Sequence, residues 1–137
     1  MWRRAGTPDA GAAAVEFALI SLPLFVILFG SLQYGFYFFQ STAMEGATRE
    51  GARALAVGIA DCDALVQRVK TSSPGVANSI KNISSTQINA RGDIVTVRVS
   101  WDVTKIGFVP APTSVTETAT IRVERLGPQL GACDVNV

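Results

Sequence analysis

The sequence predicts an α+β fold, in which a long N-terminal transmembrane helix extends into a small exported domain built on an antiparallel β-sheet. Three observations carry this expectation. Residues 17–44 hold no formally charged side chain, and the first part of that run is dense in Leu, Ile, Val and Phe. Residues 94–103 alternate clearly between apolar and polar from Val95 onward. Elsewhere, breaks such as Ser72-Ser73-Pro74-Gly75 and Pro110-Ala111-Pro112 cut the chain into short segments. The expected organisation is a leader over residues 1–11, a transmembrane and protruding helix over 12–58, and an α+β domain over 59–137.

The helix follows from transfer energetics. Leu, Ile, Phe and Val each favour the bilayer centre by ~0.3–0.6 kcal/mol, whereas a central acid opposes insertion by roughly 3 kcal/mol. Leu22, Leu24, Phe25, Val26, Ile27, Leu28 and Phe29 therefore outweigh Glu16, which stands at the start of the run. A helix over residues 17–37 rises about 30 Å, the thickness of the hydrocarbon layer. Tyr34 and Tyr37 then fall at the far interface, where amphipathic rings are favoured. Arg3 and Arg4 precede the run, and the next basic residue is Arg49. The positive-inside rule thus puts the N-terminus in the cytoplasm, with one pass through the cytoplasmic membrane and the rest exported. Pro23 lacks a backbone N–H and is expected to kink the helix. The length of the run and its acid argue against a cleaved secretory signal. Composition alone favours an uncleaved signal anchor.

One spacing separates that anchor from a more specific reading. Gly11 is followed five residues later by Glu16, and Phe17 comes next. This arrangement resembles type IV prepilins, which are cut after a glycine. Having no Cβ, a glycine lets a protease approach the scissile backbone closely. Cleavage there would give Ala12 a new α-amino group. In a bundle of such helices, the Glu16 carboxylate of one subunit can neutralise that amine on a neighbour, which offsets the cost of holding both charges in a low-dielectric medium.

The wider pattern is sharper. Arg3-Arg4, then GAAAVEFALISLPLF from Gly11, FGSLQYGFYFFQ from Phe29 and AMEGATREGARA from Ala43 follow in order. Together they closely resemble the TadE-like family of pseudopilins, minor prepilin-type components of the tight-adherence (Flp) pilus system. TATIRVE, from Thr118, is similar to a closing strand common in that family. Gln33 and Phe36 stand where the family often has an acid and an arginine, so this helix is more apolar. The resemblance implies a pilin-like plan and processing by a prepilin peptidase. It further implies partners among the pilins or pseudopilins of the Tad apparatus, with a role in assembling or capping an adhesion pilus. The alternative is an uncleaved, membrane-anchored exported protein whose small domain binds a partner at the cell surface.

Beyond the membrane the helix is expected to continue, since Glu45, Arg49 and Arg53 recur at helical spacing. Gly46, Ala47, Gly51, Ala54 and Gly58 form a small-residue surface. That surface suits either another subunit's helix or the chain's own C-terminal domain.

In the C-terminal domain, Asp61 or Asp63 is placed to cap a short helix reaching Lys70, with Leu65, Val66 and Val69 on one face. Val95, Val97, Val99, Trp101 and Val103 alternate with Thr96, Arg98, Ser100 and Asp102, the pattern of a half-buried strand. Residues 87–90, before the turn Arg91-Gly92-Asp93, are expected to be its hairpin partner, and residues 115–125 a third strand.

Cys62 and Cys133 are the only cysteines. In an oxidising exported compartment they are expected to pair rather than remain as two thiols, stapling the tail to the base of the long helix. A redox role is disfavoured by the lack of C-x-x-C. The chain has no histidine, the commonest general base and metal ligand, and its acids are scattered. No enzyme, metal site or cofactor is therefore expected. Twelve basic against eleven acidic residues leave no electrostatic footprint for nucleic acid.

Overall fold

The computed structural model describes residues 9–59, 61–105, 110, 112–124 and 131–137 of the 137-residue chain. Arg3 and Arg4 of the expected leader, and the expected end of the third strand at Arg125, lie outside the described residues.

Helix α1 spans Asp9–Ala56, 48 residues in one run that passes through Pro23 without a break in the assigned helix. At 1.5 Å per residue it is about 70 Å long. It starts somewhat before the expected Ala12. Its end is set by backbone chemistry: Gly58 adopts φ 93°, its N–H donates to Leu55 O at 3.1 Å, and Ile59 N–H donates to Ala54 O at 3.1 Å. Two crossed bonds of this kind satisfy carbonyls that a helix end leaves bare, and the left-handed position favours glycine.

Helix α2 spans Cys62–Thr71. Asp61 is its cap, with the carboxylate accepting a hydrogen bond from Ala64 N at 2.6 Å, while Asp63 sits in the first turn. Leu65, Val66 and Val69 face inward. Gly51 is what lets α2 lie against α1, since a Cβ there would stand 2.8 Å from Val69 Cγ2 and 3.3 Å from Leu65 Cδ1.

Four antiparallel strands complete the domain: β1 (Ile80–Ser85), β2 (Ile94–Asp102), β3 (Ser114–Arg122) and β4 (Cys133–Asn136), in the sheet order β3-β2-β1-β4. The strand read from alternation is β2, and Val95, Val97, Val99 and Trp101 are fully buried. Its neighbour β3 pairs residue for residue from Ile94↔Arg122 to Asp102↔Ser114.

The hairpin partner of β2 differs from expectation. Residues 87–90 are irregular, and β1 pairs with β2 through Ile83↔Val99 instead. A register shift between Ile80 and Asn82 turns both Ile80 and Ile83 inward, so their odd spacing hides the period of two by which a strand is recognised. The Arg91-Gly92-Asp93 turn itself is present. Gly92 has φ 92°, and Asp93 Oδ2 accepts from the backbone N–H of Asn89 at 3.0 Å and Ala90 at 2.8 Å.

The core lies between the sheet and the last third of α1. Met44, Ala47, Ala52 and Leu55 from α1 join Leu65 and Val69 of α2 and the inward row of β2, with Ile83 and Val123. Strand direction fixes what lies at each end. Glu124 N–H donates to Ala56 O at 3.0 Å at the top of α1, and Thr104, just past β2, reaches Gln33 and Gln40 lower down.

Candidate functional site

Helix α1 divides into two unlike parts. Residues 11–32 are exposed on nearly every face, including Phe17 at 74%, Leu22 at 69% and Ile27 at 68%. Mean hydropathy reaches 2.3 over a window none of which is buried, so the helix is long and apolar enough to cross a membrane. A helix that is apolar all round needs a covering, either a protein core or lipid. Among the described residues the chain's own domain does not supply it. Hydroxyls within the run turn back onto the helix: Ser21 Oγ donates to Ala18 O at 3.0 Å, Ser31 Oγ to Ile27 O at 2.8 Å and Thr42 Oγ1 to Phe38 O at 2.9 Å. Their polarity is thereby satisfied locally, as a lipid setting requires.

Gly11, Ala12, Glu16 and Phe17 lie in the first turns of this exposed part. The Gly11–Ala12 bond is helical, with only Asp9 and Ala10 before it in α1, and the end turn of a helix frays at little cost. Ala12 and Glu16 are one turn apart and so share a face. After Glu16 the next ionisable acid is Glu45, which pairs with Arg49.

From Gln33 onward one stripe of α1 turns inward: Gln33, Gln40, Met44, Ala47, Gly51 and Leu55 are buried, with Phe36 and Tyr37 half-buried between the two glutamines. Gln33 Nε2 donates to Thr104 O at 3.3 Å, and Gln40 Nε2 donates to Thr104 Oγ1 at 3.0 Å. The Thr104 backbone N–H returns a bond to Gln40 Oε1 at 3.3 Å. A little higher, Ser41 Oγ donates to Glu117 Oε1 on β3 at 3.3 Å. Sequence reasoning missed this seam. Its signal was available, because the two glutamines fall on the helical stripe that continues through Met44 and Ala47.

Of the small-residue surface, Ala47, Gly51 and Ala54 are buried within the chain, while Gly46 remains exposed. The chain's own domain thus covers most of what sequence left open between self and neighbour. Cys62 and Cys133 form a disulfide with Cα atoms 5.8 Å apart. It joins the start of α2 to β4, an edge strand not expected from the sequence, which pairs with β1 through Ser85↔Cys133. Among the described residues no group of three or more His, Cys, Asp or Glu side chains could hold a metal ion.

A single apolar helix running into a small antiparallel sheet that packs on its upper part defines a pilin-like α+β protein. Residues 11–53 match the family model for TadE-like protein, so the chain carries a TadE-like segment covering the exposed helix, the glutamine seam and the lower core stripe. Comparison with curated proteins and with solved structures gives no significant match. The TadE-like segment supports a Tad-pilus-associated protein, and the apolar helix suggests a single-pass membrane anchor.

Proposed function

We propose that this chain is a minor pseudopilin of the Tad (Flp) system, cut after Gly11 by a prepilin peptidase and taking part in pilus assembly and adhesion. The observation that carries the reading is Glu16, the only formally charged side chain between Asp9 and Glu45, five residues past a glycine and inside a segment that matches the TadE-like family. The N-terminus lies in the cytoplasm and the C-terminal domain outside. Cleavage frees the amine of Ala12, and Glu16 of a neighbouring subunit neutralises it when apolar helices bundle. Among bundled apolar helices an unpaired charge is costly, so the pairing rewards one axial stagger between subunits. Partners are other pilins or pseudopilins of the apparatus.

The test is Glu16→Gln, which keeps size and removes charge. Membrane insertion should persist while co-purification with pilus components is lost. Undiminished co-purification would contradict the pairing.

A further inference from the structure

The height at which the C-terminal domain meets α1 points to a second contact with the membrane. We propose that the segment following β2, Thr104 with Lys105, lies in the headgroup layer of the outer leaflet, so that the domain rests on anionic phospholipid rather than standing clear on a bare stalk. The inference rests on the reading of α1 as a membrane anchor.

Register along the helix sets the height of this contact. A hydrocarbon layer of about 30 Å, counted from Phe17 next to the acid, ends near Tyr37. The two side chains that hold Thr104 bracket that level: Gln33 one turn below, Gln40 about one turn above. Helix and domain therefore begin to touch before the apolar span has ended, and no length of free helix separates them. The other faces of α1 at this height carry Tyr34 at 48%, Phe38 at 64% and Phe39 at 56% exposure. Phe38 and Phe39 line a shallow open groove with Thr42 and Ala43. Sliding the span toward the N-terminus until it ended at Leu32 would leave these rings in water and draw Glu16 deeper into lipid. The interface suits them better, since amphipathic and aromatic rings concentrate there. The amide of Gln33 would be costly in lipid if unpaired, and the bond to Thr104 O reduces that cost. Lys105, next to Thr104, is exposed, and a lysine near an anionic surface is drawn to it. The opposite end of the sheet, at the Arg91 turn, lies beside Ala56 at the top of α1 and far from lipid.

The experiment uses the full chain in vesicles of phosphatidylethanolamine and phosphatidylglycerol. A photoreactive benzoylphenylalanine is placed at Lys105, at Arg91 or at Phe25, and phospholipid adducts are read by intact mass after irradiation. The expected result is lipid adduct at Phe25 and at Lys105, with Arg91 at background. Adduct at Phe25 with background at Lys105 overturns the proposal and leaves the anchor standing, and the same holds if Lys105 links to protein instead of lipid. Background at both Phe25 and Lys105 overturns the anchor and the proposal together.

Discussion

Gln40 and Thr104 exchange two hydrogen bonds, from Gln40 Nε2 to Thr104 Oγ1 at 3.0 Å and from Thr104 N–H to Gln40 Oε1 at 3.3 Å. The pair couples a residue near the end of the apolar part of α1 to the first residues beyond β2. It converts a helix that could stand apart from its domain into one whose lower contact is fixed.

Removing that exchange should be costly because Gln40 is only 2% exposed. Gln40→Leu removes both bonds to Thr104, and because Thr104 is exposed and can turn to water the loss is about 0.5–1.5 kcal/mol per bond. The thermal midpoint of the detergent-solubilised chain should fall, and amide exchange at Thr104 should rise. An unchanged midpoint with unchanged exchange would mean that the seam contributes nothing.

Glycines on α1 should divide by what they face. Gly51→Ala gains helix propensity of up to ~1 kcal/mol, yet its methyl meets the stiff, fully buried Val69 at 2.8 Å. Overpacking of this kind costs about 1–3 kcal/mol, so the net effect is destabilising. Gly46→Ala meets nothing within 4 Å and should stabilise the chain. Parallel denaturation of the two variants checks the sign of each.

The disulfide should matter beyond its two residues. Its separation of 71 residues corresponds to ~4 kcal/mol in the chain-entropy model. Cys62→Ser with Cys133→Ser should lower the denaturation midpoint and release β4, seen as faster hydrogen exchange at Cys133–Asn136 with β2 and β3 still protected. Equal protection of β4 in both forms would show that pairing with β1 holds it unaided.

Asp61 and Asp63 are equivalent in sequence as caps but not in structure. Asp61→Ala removes the bond to Ala64 N and should cost ~1 kcal/mol. Asp63→Ala loses only a favourable charge in the first turn, about 0.3–1 kcal/mol and weakened by salt. Urea midpoints at low and high ionic strength separate the two, since the Asp61 effect should survive added salt.

Legibility followed periodicity. β2 could be read because Val95, Val97, Val99 and Trp101 all face one way, and α1 because its charge-free run is longer than any break within it. β1 was missed because the shift beside Asn82 places Ile80 and Ile83 three apart on the same side, and its remaining residues are polar. β4 is four residues long with one buried side chain, too short for any pattern. The staple between Cys62 and Cys133 was visible from cysteine number, but the strand it holds was not. The Gln33 and Gln40 seam escaped because polar residues in an apolar run read as departures from a pattern, whereas here they continue the inward stripe of α1.

The charge pairing of Glu16 depends on processing at the glycine. Intact mass and N-terminal sequencing of the chain recovered from membranes of its native host test it directly. The expected result is a mature chain that begins at Ala12. A chain still carrying Met1 and the Arg3-Arg4 pair would contradict it and leave the uncleaved anchor in its place.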